Sequence, residues 1–155
     1  MEIERKWLLD INNIPYDLNQ YEHEDIEQAY ISFSPTIRIR KITNRRLYVL
    51  TTKSKSINGG LSRQEYEINI TEDQYKNLLN KKEGLVLNKT RYKVKVDNLI
   101  YEIDLFHNEY EGLAYLEVEF ETEEEARNFN APEFVVKELT GDSSYSNASL
   151  ARKIR

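Results

Sequence analysis

Residues 1–9 read MEIERKWLL, and the fold turns on which way this stretch points its charges. Read as a strand, it sets Glu2, Glu4 and Lys6 on one face and Ile3, Arg5 and Trp7 on the other, because side chains alternate with a period of two. A single amphipathic strand ordinarily shows its charged row to water. The rest of the chain repeats the pattern with its signs sorted, and that repetition asks for another explanation.

Working outward, ISFSPTIRIRKI (31–42) puts Arg38 and Arg40 on one face, and LYVLTTKSK (47–55) puts Lys53 and Lys55 together. RQEYEINI (63–70) aligns Arg63, Glu65 and Glu67 against Tyr66, Ile68 and Ile70. RYKVKV (91–96) aligns Arg91, Lys93 and Lys95, YEIDLF (101–106) aligns Glu102 and Asp104, and YLEVEF (115–120) aligns Glu117 and Glu119. Neighbours two apart on a strand face stand about 7 Å from one another, so a like-charged pair costs roughly 2 kcal/mol at an effective dielectric near 20. On a solvated surface the cost is only a few tenths, and charges there are usually interspersed. Sign-sorted rows on strand after strand instead suggest the inside of a barrel. Apolar rows would then face outward under helices, and basic and acidic walls would face a ligand. Guanidinium forks bind phosphate oxygens bidentately, and clustered carboxylates bind hard divalent cations, so the two walls together describe a polyphosphate with Mg²⁺ or Mn²⁺.

The remaining composition is consistent with this. A length of 155 residues predicts one domain spanning 1–155, able to bury a core without staples. The absence of cysteine excludes disulfides, thiolate zinc sites and a cysteine nucleophile. With 22 basic and 27 acidic residues, a net charge of −5 argues against nucleic-acid binding through the overall field. No signal pattern opens the chain and no apolar run reaches bilayer length, so a soluble, unprocessed, cytoplasmic protein without a membrane partner is expected.

Strand-like alternation predicts eight strands, near 1–9, 29–34, 36–43, 46–55, 62–70, 85–96, 99–106 and 113–121. Thr71 caps a helix over EDQYKNLLNKK, Thr122 and Glu125 form a capping box for TEEEARNF, and a last helix begins near Ser146 and runs through NASLARK. INNIPYDLNQYEHEDIEQA (11–29) reads as a polar stretch holding one or two short helices, and SINGGLS (56–62) as a mobile loop. His23 and His107 read as surface residues. The fold class is mainly β (α+β), an eight-stranded antiparallel closed or partly open barrel with flanking helices.

In order, EIERK, RIR, TKSK, RQEYE, RYK, YEIDLF, GLAYLEVEF and LTGDSSYSNASLA resemble the CYTH superfamily, the triphosphate tunnel metalloenzymes, over nearly the whole chain. The resemblance implies an eight-stranded tunnel that binds a triphosphate through basic residues and one or two divalent metals through acids. It implies that Glu2, Glu4, Glu117 and Glu119 form the metal side, and that Lys6, Arg38, Arg40, Lys53, Lys55, Arg91 and Lys93 cradle phosphates, with Arg63 on the same basic wall. Glu65, Glu67, Glu102 and Asp104 bind a second metal, orient the basic residues or position water. Glu4, Lys6 and Glu119 are the expected catalytic residues. One departure is visible: the family often carries a basic residue before Tyr145, where this chain has Ser143 and Ser144. The family includes inorganic and thiamine triphosphatases, class IV type adenylyl cyclases and RNA triphosphatases, and fold alone does not choose among them. Hydrolysis of inorganic triphosphate is the first expectation, since no base-reading pocket is visible. A class IV type adenylyl cyclase or a thiamine triphosphatase is the alternative, with a non-catalytic polyphosphate or nucleotide sensor as the non-enzyme alternative, and a homodimer is compatible with the sequence.

Overall fold

The computed structural model describes residues 1–55 and 57–152. Ten strands form one antiparallel sheet: β1 (Glu2–Leu9), β2 (Glu22–Ser32), β3 (Thr36–Ile42), β4 (Leu47–Lys53), β5 (Ser62–Arg63), β6 (Glu65–Asn69), β7 (Glu83–Val96), β8 (Leu99–Phe106), β9 (Ala114–Glu119) and β10 (Val135–Glu138). Their order is β10-β1-β9-β8-β7-β2-β3-β4-β6, and β5 returns to pair with β1. Closure rests on the stretch 62–69. Its first two residues pair with β1, placing Arg63 opposite Glu2, while its remainder pairs with β4, placing Glu65 opposite Lys53. Counted as one stave, β5 and β6 complete an eight-stave, nearly closed barrel, and β10 pairs with the far end of β1, on the edge away from β9.

The barrel keeps its apolar side chains mostly outside its wall. Trp7, Tyr101, Ile103, Leu116 and Val118 are buried on the outer face beneath α2 (Glu123–Asn128) and the segment carrying Phe129 and Phe134. Ala29 and Ile39 are buried with Tyr75 of α1 (Glu72–Leu79), whose hydroxyl donates to Glu27 at 2.8 Å. A third cluster, with Tyr30, Leu87, Phe106, Tyr115 and Leu139, fills one end of the barrel together with Leu150 and Ala151 of α3 (Asn147–Arg152). The alternation that brings charge inward therefore supplies the covered outer core as well.

Both helices are capped where expected, but the full capping box forms at Thr71 and Gln74, whereas at Thr122 the expected box is half made, with the hydroxyl accepting from the Glu125 amide. Two expectations are corrected. The polar stretch 11–29 holds two 3-10 turns, capped by Asp10 and Asp17, and then the first residues of the eleven-residue β2. Both faces of its beginning are polar, because Glu24 bonds to Arg45 and Lys93 on one side while Asp25 bonds to Thr90 on the other, so no apolar alternation marks it. His23 accordingly sits on a strand, half exposed beside Asp25. The short β10 was not expected, since four residues carry too little pattern to register. Ser56 of the SINGGLS loop and Lys153 of the last helix lie outside the described residues; Asn58, Gly59 and Gly60 form a left-handed turn.

Candidate active site

The barrel encloses a cavity of about 400 Å³ whose wall is charged. β1 contributes Glu2, Glu4 and Lys6; β3 contributes Arg38 and Arg40; β4 contributes Lys53; β5 and β6 contribute Arg63, Glu65 and Glu67; β7, β8 and β9 contribute Arg91, Glu102, Glu117 and Glu119. Thirteen of the sequence-predicted site residues thus meet on one concave surface. Three do not line it. Lys55 is exposed, Lys93 turns to Glu24 at 3.7 Å, and Asp104 is fully buried beneath Arg91, on the same face of β8 as Glu102. Lys95, from the same row as Lys93, is exposed as well.

Asp104 is occupied by cations of the protein itself. It accepts from Arg91 at 2.7 and 2.9 Å and from Lys89 at 2.8 Å. Burial raises its proton affinity, but Arg91 and Lys89 outweigh that and hold it below the usual carboxylate range. Arg91 also donates to Glu117 at 3.1 Å and stands 3.4 Å from Glu102. Burial likewise pushes Glu117 up, yet Arg91, with Lys6 and Lys89, brings it down to about 2. Lys89 escaped the sequence reading although it shares the parity of Arg91. Burial, with Arg91 and Arg40 nearby, pushes its ammonium down to about 7 against the pull of Asp104.

The carboxylates on β1 are in the opposite condition. Glu2 is raised to about 7 by burial, against Lys53, whose ammonium stands 3.5 Å away. Glu4 is raised well above its ordinary value by burial, then by Glu117 and Glu2. Register sets Glu4 opposite Glu119, and Lys6 opposite Glu117. All these donors are oxygen, which suits a hard cation. Among the described residues no three acidic or histidine side chains already enclose an ion, so a metal would have to draw them together.

On the basic wall, Arg38 is 6% exposed, forms no ion pair among the described residues, and leaves its Nε without a partner. Arg40 donates to Gln28, which donates to Asn147 at the start of α3. Burial, then Arg38 and Arg91, push the Arg40 guanidinium down. Lys6 donates to the Tyr145 carbonyl at 3.0 Å, and burial lowers its proton affinity. The segment 140–147 lines the cavity with Thr140, Gly141, Asp142, Ser143, Ser146 and Asn147, so hydroxyls, an amide and a carboxylate stand in the stretch where the resemblance marked the lack of a basic residue. Tyr30 is the one aromatic ring among the described lining residues, and it stacks on Phe33.

A nearly closed β-barrel whose interior pairs unneutralised arginines with proton-hungry carboxylates defines a protein built to take up a polyanion together with a cation. The chain belongs to the CYTH family: the CYTH domain model matches residues 1–153. It is 36% identical to an inorganic triphosphatase of Nitrosomonas europaea, across 99% of this chain and 98% of that one. It is 35% identical to an inorganic triphosphatase of Acetivibrio thermocellus, across 81% and 78%. The crystal structure of the inorganic triphosphatase NE1496 superposes with a TM-score of 0.71 at 32% identity, covering 99% of this chain and 96% of that one.

Proposed function

We propose that this protein is an enzyme that hydrolyses inorganic triphosphate in the barrel cavity. The observation that carries the reading is Arg38, a buried guanidinium that forms no ion pair among the described residues and leaves its Nε unpartnered, aligned with Arg40 on the wall facing the carboxylates. A buried cation without a counter-charge is costly unless a ligand supplies one, and a phosphate chain supplies several. The two inorganic triphosphatases to which the chain is more than a third identical support this choice of substrate. So does the nearly ring-free lining, which offers a nucleoside little to stack on.

In this reading Arg38, Arg40, Lys53 and Arg63 hold the phosphoryl oxygens and spread the charge that develops as the terminal phosphoanhydride breaks. Water attacks the terminal phosphorus, giving orthophosphate and pyrophosphate. Glu4 and Glu119 orient that water, and Lys6, whose proton burial loosens, stabilises the departing oxygen. Glu2, Glu4, Glu117 and Glu119 would hold Mg²⁺ or Mn²⁺, which neutralises phosphate charge and acidifies bound water. Glu65, Glu67 and Glu102 orient the basic wall, as the Glu65 contact to Lys53 at 3.7 Å and the Glu102 contact to Arg91 suggest. Among the described residues no helix is long and apolar enough to cross a membrane, and the enzyme is proposed to work in the cytoplasm.

The test is phosphate release from inorganic triphosphate, ATP and thiamine triphosphate with Mg²⁺ or Mn²⁺. Orthophosphate from inorganic triphosphate, well above that from the two organic substrates, is expected. Cyclic nucleotide from ATP, or binding of triphosphate with no turnover under any metal, would overturn the assignment.

A further inference from the structure

The segment 140–147 brings several polar side chains to the charged cavity, and most of them are committed to neighbours. Thr140 donates to Glu138 at 2.7 Å, Ser146 donates to the Ser143 carbonyl at 2.9 Å, and Asp142 accepts from the Ser144 hydroxyl and amide. Asn147 is different. It is half-buried and lines the cavity, yet among the described residues only the oxygen end of its amide is held.

The neighbours dictate that orientation. A guanidinium can only donate, so Arg40, whose Nε stands 3.0 Å from Gln28, takes the Gln28 oxygen and leaves the Gln28 amide nitrogen for another partner. That nitrogen donates to the Asn147 Oδ1 at 3.1 Å. An ammonium likewise only donates, and Lys89 reaches the same oxygen at 3.4 Å. Gln28 and Lys89 are both fully buried, so the Asn147 oxygen is drawn into the wall. Its Nδ2 makes no hydrogen bond among the described residues, and two N–H donors are left for the cavity, one side chain away from Arg40.

We propose, on the triphosphate reading above, that the Asn147 amide binds a phosphoryl oxygen of the substrate, donating from Nδ2 while Gln28 and Lys89 fix its orientation. A phosphoryl oxygen accepts more bonds than one arginine supplies, and donors set in place by a buried network need no reordering when the ligand arrives. A carboxylate at this position would serve Gln28 and Lys89 as well as the amide does, so nothing in the wall itself requires the nitrogen.

The experiment is calorimetric titration of the full chain with inorganic triphosphate in chelator, for wild type, Asn147→Asp, Asn147→Ala and Arg38→Ala, with denaturant unfolding of each apo protein. Asn147→Asp keeps the shape and an oxygen for Gln28 and Lys89, so it should unfold at the wild-type midpoint or above. It should nevertheless bind triphosphate about a hundredfold more weakly, because a donor to the phosphoryl oxygen becomes a like charge. Asn147→Ala removes the contact without adding charge and should weaken binding about tenfold. Normal affinity in Asn147→Asp beside a weakened Asn147→Ala would mean that Asn147 only braces the wall, and normal affinity in Asn147→Ala would mean that it touches no phosphate. A destabilised Asn147→Asp would mean that the wall needs the nitrogen. Each of these overturns the proposal alone, provided that wild type binds and Arg38→Ala binds more weakly. Wild type that takes up no triphosphate would overturn it together with the reading of the barrel as a triphosphate site.

Discussion

Two arginines of the charged cavity show how one residue type can serve opposite ends. Arg91 is neutralised by Asp104, Glu102 and Glu117, whereas Arg38 makes no ion pair among the described residues. Replacing Arg91 with alanine leaves two deeply buried carboxylates short of their main counter-charge, so a loss of about 3–5 kcal/mol in unfolding free energy is expected from denaturant titration. Arg38→Ala should behave in the reverse way: apo stability equal or higher, since a lone buried charge is gone, and triphosphate affinity about tenfold to a hundredfold lower in calorimetry. A strongly destabilised Arg38→Ala with normal affinity would move Arg38 from the ligand site to the scaffold. Glu4→Gln keeps shape and removes a carboxylate, and hard cations prefer anionic oxygen. Turnover should collapse at low metal and return in part at high Mn²⁺, while triphosphate still binds in chelator. Metal dependence identical to wild type would remove Glu4 from the metal side.

Among the elements, α3 packs its Ala151 carbonyl directly against a glycine of β7. Gly84 opens β7 at φ +74°, and a Cβ there would stand 2.1 Å from the Ala151 carbonyl oxygen. Gly84→Ala therefore meets both a strained backbone and a helix that must retreat, so about 2 kcal/mol or more should be lost. Hydrogen exchange over 147–152 should rise more than over β9. Unchanged protection of α3 would show that the helix is held elsewhere. This dependence was hidden in the sequence, where Gly84 is simply a residue before a strand, because the clash lies with a helix nearly seventy residues away. What could be read was whatever repeats locally: the parity of Arg38 and Arg40, of Glu117 and Glu119, and the Thr71 and Thr122 caps. Parity also reaches Lys89, two residues before Arg91. It fails at the strand ends, where Lys55 and Lys93 keep the period but leave the cavity, since alternation gives a face and not a depth along the barrel. It fails too for 22–25, whose partners are charged on both faces.

At the scale of the molecule, a barrel that faces its charges inward stores its ligand preference as pH dependence. Glu2 has a folded pKa of about 7 against an ordinary value of 4.5, and Glu4 shifts in the same direction. Between those pH values the folded chain binds more protons than the unfolded one, so stability falls as pH rises from about 4.5 to about 7. Glu117, held at about 2, works the other way, and its contribution is lost only as pH falls from 4.5 toward 2. Without metal, the site's contribution to stability should therefore peak near pH 4.5–5 and decline toward neutrality, by up to about 3 kcal/mol from Glu2 alone. A divalent cation needs these carboxylates ionised, so Mg²⁺ or Mn²⁺ should stabilise little at pH 5 and most above pH 7, reversing the slope. The measurement is denaturant unfolding from pH 4.5 to 8, in chelator and in metal, for wild type and Glu2→Gln. The variant should flatten the metal-free decline. A wild-type slope in chelator that rises across this range, or that Glu2→Gln leaves untouched, would mean that the carboxylates on β1 are already ionised and satisfied, and that the cavity does not depend on a cation to complete it.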